Sequence, residues 1–381
     1  MAVVVCASLG DSAVVVNAKL AAMKNIHLVI TDLFLPNDLA AEVCAGLQLP
    51  ALEKILARGT LTGAAPSTGS GRTGEGASLE GLLCGMFGVP PQQGVPIAPI
   101  SALFDGLGEG CWMRADPVHL RLQRDQLVLL PDVEVSAEEA GQWCAAMNEH
   151  FAGQGLVFFA PHPQRWYVRL DRLPDIETVP LSQAAGRNVH DLLPMGADAS
   201  RWHRLFNEIQ MLLFAHPVNE AREARGELPV NSLWFWGAGC AVNATLQKTY
   251  DSVSSNEELA EMFASSANIP FADWSDQWCD FLSLTLSQKE RGLLSEGKQL
   301  LVWAGLRSAL QRGDLKAWRA ALQGFETGYA QPLWQALRAG KITQLQVDVL
   351  GGDNARRLLL NRADAWTFWR RPKPLACCSM V

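Results

Sequence analysis

The sequence predicts an α/β protein, a mostly parallel sheet flanked by helices, into which a small α+β domain is inserted. Three observations carry that reading. Residues 26–31 (IHLVIT) are a short β-branched apolar run closed by Asp32, the pattern of a strand buried on both faces with a polar group at its carboxyl end. Helical spacing alternates with further short apolar runs before residue 110 and again in the final third of the chain. Between them, residues 112–170 read as strand, turn, strand, helix, strand, turn, strand, a compact unit of its own. The expected organisation is a leader over 1–22 outside the fold, one discontinuous domain of residues 23–110 and 172–381, and an insert of residues 111–171.

The bulk composition sets the bounds. A chain of 381 residues exceeds the size at which one core normally stops growing, and 49% hydrophobic against 19% charged residues describes a packed protein rather than a disordered one. A net charge of −7 supplies no general attraction to polyanions, so neither nucleic acid nor a membrane is an expected partner, and an anionic ligand would need a local basic pocket. No apolar run approaches the roughly 20 residues of a membrane helix, and residues 1–22 lack the basic start of a secretory signal. The nine cysteines show no CxxC pair and read as reduced thiols of a cytoplasmic protein.

Taken in order, residues 50–58 (PALEKILAR) predict a helix with proline in its first turn, Leu52, Ile55 and Leu56 on one face and Gly59 as its stop. The stretch 60–76 is small and flexible, a loop between helices. Residues 119–123 and 126–130 flank Arg124-Asp125 as a hairpin, and Ser136 to Glu139 form a capping box opening a helix to about Phe151. Residues 156–160 and 165–170 are a second strand pair. Residues 198–214 form an amphipathic helix burying Trp202, Leu205, Phe206, Ile209, Leu212 and Leu213. Strands at 232–236, 300–303 and 344–349 and helices at 257–263 and up to Arg338 return to the α/β pattern.

Three clusters could carry chemistry. Asp32 at a strand end, with Ser67, Thr68, Ser70, Thr73 and Ser78 downstream, has the residue types of a metal-bound nucleophile site, but from residues alone a strand terminus followed by a solvated linker is the favoured reading. Arg114, Asp116 and His119 crowd a connection between strands, where arginine offers a planar fork to phosphate or carboxylate, or simply pairs with the aspartate. The densest cluster runs from His216 through Asn219, Arg222 and Asn231 to Gly237 and Gly239. A helix from Pro217 places Asn219 and Arg222 on one face, and a strand ending in a glycine-rich turn would present free N–H groups to an anion.

Those residues, with Gly186 to Pro194 including His190 and Asp191, resemble in order the archaeal-type cofactor-independent phosphoglycerate mutases of the alkaline phosphatase superfamily. The resemblance implies an alkaline-phosphatase-like sheet, a first metal-binding aspartate at Asp32, and substrate-side groups at Arg114, Asp116, His119, Arg165, His190, Asp191, His216, Asn219, Arg222, Asn231, Gly237 and Gly239. Nearly everything after Met23 is similar to the RpfE-type regulatory proteins, on residues 114–120, 207–211 including Asn207, and 366–371.

The departures matter as much. The mutases hold two divalent metals with Asp and His ligands from their carboxyl-terminal half, but here no histidine follows His216, and the segments at 306–311 and 344–352 lack the motifs, leaving Asp348 as a lone oxygen donor. The nucleophile falls near Thr73 or Ser78. The expectation is a catalytically degenerate, regulatory or small-anion-binding protein with no cofactor, whose ligand is a small phosphorylated or carboxylated metabolite and whose protein partner is unknown. The alternative is a phosphotransferase using Mn²⁺ or Mg²⁺. Aromatic residues at helical spacing usually lie in a core, so docking through Trp366, Phe368 and Trp369 beside Arg370 and Arg371 ranks below both.

Overall fold

The described residues of this computed structural model are 25–63, 78–92, 94–240, 246–275, 297–351 and 355–378, and among them twelve strands form two sheets, with helices between them along the chain. In chain order the strands are β1 (Asn25–Thr31), β2 (Thr60–Leu61), β3 (Cys111–Gln123), β4 (Gln126–Leu130), β5 (Leu156–His162), β6 (Arg165–Leu170), β7 (Ser232–Cys240), β8 (Ser252–Ser255), β9 (Phe271–Asp273), β10 (Lys298–Trp303), β11 (Gln344–Leu350) and β12 (Arg356–Asn361). The leader at 1–22, Thr73 and most of the small-residue loop lie outside the described residues.

The larger sheet runs β2-β12-β11-β1-β10-β8-β9. Five of its strands are parallel, and β12 and β2 close one edge antiparallel. The mostly parallel sheet expected from sequence is present. Because side chains alternate along a strand, Ile26, Leu28 and Ile30 of β1 enter a core with Trp318, Phe325, Leu333 and Trp334, and His27 goes to the opposite face. The Pro50–Arg58 helix forms as predicted and stops at Gly59. Glycine is required there because a Cβ would stand 2.9 Å from the Leu358 side chain of β12, not because of a left-handed backbone. The first N–H groups of that helix are held by a buried acid: Glu326 accepts from Ala51 N at 2.8 Å and Leu52 N at 2.9 Å.

The smaller sheet is antiparallel, ordered β4-β3-β6-β5, with β7 also paired to β3. The hairpin around Arg124-Asp125 and the capping box are both present; Ser136 Oγ accepts from Glu139 N and Glu139 Oε2 from Ser136 N. The Ala199–Phe214 helix buries Trp202, Leu205, Phe206, Ile209 and Leu213.

Two compact units result, one of residues up to 67 with those from 248 onward, the other of residues 68–247. The second unit is far larger than the expected 111–171 insert. The reason is register: residues 111–118 of β3 pair with β7, so the strand assigned from sequence to the main sheet completes the smaller one. Arg114, Asp116 and His119 therefore lie within strand β3 and not in a connection. That register also sets Cys111 opposite Cys240, and the two form a disulfide, correcting the expectation of uniformly reduced thiols. Their separation of 129 residues hides the pairing from any spacing rule. Among the described residues no helix is long and apolar enough to cross a membrane.

Candidate functional site

In an open parallel sheet, ligand chemistry belongs at the carboxyl ends of the strands. At that end β1 runs into Asp32, which takes a left-handed backbone (φ 58°) and donates its N–H to Leu350 O at 2.8 Å. Gly351 permits this turn, since a Cβ there would sit 3.1 Å from Asp32 Cα. The Asp32 carboxylate meets Arg307 Nε at 3.3 Å, and Arg307 Nη1 reaches Glu257 Oε2 at 3.1 Å. Glu257 follows β8 and Arg307 follows β10, so one guanidinium ties together the ends of β1, β8 and β10. Asn256 reinforces the arrangement by accepting from Ala304 N at 2.8 Å.

A pair of divalent cations does not fit this donor set. Two carboxylates are present among the described residues where several acids and imidazoles are needed, and a permanent positive charge already bridges them. Among the described residues no three His, Cys, Asp or Glu side chains group as metal ligands. Thr31 Oγ1 is buried there with no hydrogen-bond partner among the described residues, but a neutral hydroxyl does not replace missing acids. Asp348 is not nearby in function either: it lies inside β11, fully buried, with Arg357 Nε at 2.8 Å, Arg357 Nη2 at 2.6 Å and His27 Nε2 at 2.9 Å.

That last contact belongs to a network the sequence reading missed. His27 Nδ1 lies 2.6 Å from the Tyr250 hydroxyl and Nε2 lies 2.9 Å from both Asp348 Oδ2 and the Gln346 amide; a neutral ring donating from Nε2 to Asp348 accepts at Nδ1 from the tyrosine. Burial holds the His27 pKa below its ordinary value despite the attraction of Asp348. Burial also works against ionised Asp348, but the hydrogen bonds from Arg357 and His27 prevail and keep its pKa low. The only sequence signal was a histidine inside an apolar strand.

In the smaller sheet, Arg114, Asp116 and Arg165 do come together. Arg114 donates from Nε and Nη2 to Asp116 Oδ1 at 3.1 and 2.7 Å, with its guanidinium 5.2 and 5.3 Å from the ring centroids of Tyr167 and Trp236. Asp116 accepts two further bonds, from the Trp236 indole at 2.7 Å and Trp166 N at 3.3 Å. Arg165 grips Asp105 through two bonds of 3.0 and 2.7 Å, and Tyr167 donates its hydroxyl to the same acid at 2.5 Å. Burial alone would raise the Asp105 pKa, but Arg165 and Tyr167 hold it below the ordinary value.

The remaining candidates secure the chain ahead of β7. Asn219 donates to Leu213 O and Val230 O and accepts from Val230 N. Arg222 binds Leu228 O, Glu134 O and Glu139. Asn231 bonds both backbone groups of Leu120, and His119 Nδ1 meets Pro229 O at 2.9 Å. His216 caps the Pro217–Ala224 helix. Ser78 likewise caps a helix, accepting from Gly81 N. Gly237 and Gly239 form no anion-binding turn; both lie within β7, and a Cβ on Gly239 would stand 2.6 Å from Pro96. His190, Asp191 and Asn207 are exposed on the surface. Around Arg222 opens a cavity of about 620 Å³ whose charged lining is Asp132, Glu134, Glu139 and Glu227 against Arg222 and Arg225, a poor setting for an anion.

No family model matches the chain. A stretch of 113 residues is 28% identical to the 2,3-bisphosphoglycerate-independent phosphoglycerate mutase of Methanosarcina barkeri, covering 29% of this chain and 28% of that protein. A stretch of 63 residues is 38% identical to a probable 2,3-bisphosphoglycerate-independent phosphoglycerate mutase of Geobacter sulfurreducens, 16% of each. The chain thus matches less than a third of the length of these curated relatives. A solved structure of a Pyrococcus horikoshii protein superposes with a TM-score of 0.51 over 89% of this chain and 87% of the other at 14% identity, which establishes likeness of fold. The chain is phosphoglycerate-mutase-like in sequence and mixed α/β in architecture.

Proposed function

We propose that this is a catalytically degenerate, phosphoglycerate-mutase-like protein of the RpfE regulatory type, one that acts by binding and not by phosphoryl transfer. The observation that carries the reading is Arg307, whose guanidinium lies between Asp32 and Glu257 at the carboxyl ends of the central strands. Two-metal phosphoryl transfer needs cations to neutralise the charge that develops on the transferring group. Here a side-chain cation is committed to two protein carboxylates instead.

A small phosphorylated or carboxylated metabolite is the ligand class the resemblance implies. To reach Arg114 or Arg165 it would have to displace Asp116 or Asp105, each already held by several donors. The regulatory role is therefore read as one of fold and surface. The full chain, supplied with 3-phosphoglycerate or p-nitrophenyl phosphate and Mn²⁺ or Mg²⁺, is expected to give no turnover above the blank. Turnover that Asp32→Asn abolishes would overturn the proposal and favour a metal-dependent phosphotransferase.

A further inference from the structure

The chain expected to lie in a core at the carboxyl-terminal end is on the surface. Trp366, Phe368 and Trp369 are 55%, 78% and 67% exposed, whereas Trp112, Trp143, Trp318 and Phe263 are buried. The helical spacing read from sequence is absent. Residues 364–366 form one 3-10 turn, a turn follows at 368–369, and the chain then runs on without regular structure to Pro374. The Phe368 and Trp369 rings meet edge to face, with centroids 5.3 Å apart, so they form one protruding pair.

Cations surround them. Arg338 lies over the Trp366 ring at 4.9 Å, Arg370 reaches back to Arg58 O at 3.0 Å, and Arg371 and Lys373 follow, both exposed. Among the described residues Arg338, Arg370, Arg371 and Lys373 have no carboxylate partner. Asp364, a nearby acid, accepts from Asn361 N at 2.9 Å. In a chain of net charge −7, this is a local concentration of positive charge interleaved with aromatic rings.

We infer that this patch docks the protein onto an anionic lipid bilayer surface. Tryptophan and phenylalanine rings settle at the headgroup boundary, and arginine and lysine beside them gain from anionic lipid. The exposures favour a bilayer over a peptide. Hot spots between proteins cluster in well-packed, desolvated pockets, whereas Phe368 and Trp369, 78% and 67% exposed, suit a soft layer they can enter. The overall negative charge means that attachment depends on this patch and is weakened by salt.

The test is co-sedimentation of the full chain with vesicles of phosphatidylglycerol and phosphatidylethanolamine, compared with phosphatidylcholine vesicles. Binding to the anionic vesicles alone is expected, falling as sodium chloride is raised. Arg370→Glu with Arg371→Glu should weaken it by about tenfold or more, and Phe368→Ala with Trp369→Ala should do the same without moving the thermal midpoint, since neither ring is packed in the core. Equal sedimentation with both vesicle types, or anionic binding that both double variants retain, would sink the inference. Binding to poly-glutamate but not to vesicles would also overturn it, and would assign the patch to an acidic protein partner.

Discussion

A guanidinium held between two carboxylates must leave them before a metal ion can take its place, and that sets what Arg307 does. Arg307→Gln keeps the size but removes the charge, leaving Asp32 and Glu257 facing one another across the strand ends. The variant is expected to gain weak Mn²⁺ binding, seen as a metal-dependent rise in thermal midpoint that the wild-type chain lacks. The second residue-scale expectation concerns His27. Its folded pKa lies below the ordinary 6.5 because burial disfavours the charged ring. Between 6.5 and that lower value the unfolded chain takes up a proton that the folded chain refuses. Stability present above about pH 6.5 is therefore lost as the pH falls through this window. Asp348, also depressed, adds a further loss at more acid pH, below the ordinary 3.8 of an aspartate. Urea unfolding of His27→Gln should show a flatter dependence as the pH falls below 6.5 than the wild type. An unchanged slope would mean that other groups carry it.

At the scale of elements, the Pro50–Arg58 helix depends on an acid from far along the chain. Glu326 sits in a single π-helical stretch, Glu326–Ala330, between two α-helical segments, and this irregular turn aims its carboxylate at the Ala51 and Leu52 N–H groups. Glu326→Ala leaves two buried donors without partners and is expected to cost about 2–4 kcal/mol in chemical denaturation; Glu326→Gln, which can satisfy one of them, should cost less. The helix itself was legible, because proline at its start, Leu52 and Ile55 on one face and Gly59 at its end are local signals. The acid was not legible, since nothing in its own neighbourhood distinguishes it from a solvated glutamate. Gly237 and Gly239 show the same limit from the other side. A Gly-Ala-Gly run reads as a turn, yet here it lets residues 96–99 approach a strand.

For the whole molecule, the Cys111–Cys240 bond closes a loop of 129 residues in the smaller unit, and a cross-link of that span is worth up to about 4–5 kcal/mol through the unfolded state. Dithiothreitol should lower the thermal midpoint of the wild-type chain but not that of Cys111→Ser with Cys240→Ser, whose midpoint should already be low. The sequence by itself determined the mostly parallel sheet, the hairpin and the capped helix, because each is written in periodicity or in residue types a few positions apart. Tertiary structure decided the rest: that β7 pairs with β3, that Arg307 stands between Asp32 and Glu257, that Arg114 and Arg165 are held by Asp116 and Asp105, and that Trp366, Phe368 and Trp369 face outward. Each of these depends on register or packing between segments distant along the chain, and the identity of a residue does not say which remote group will neutralise or cover it.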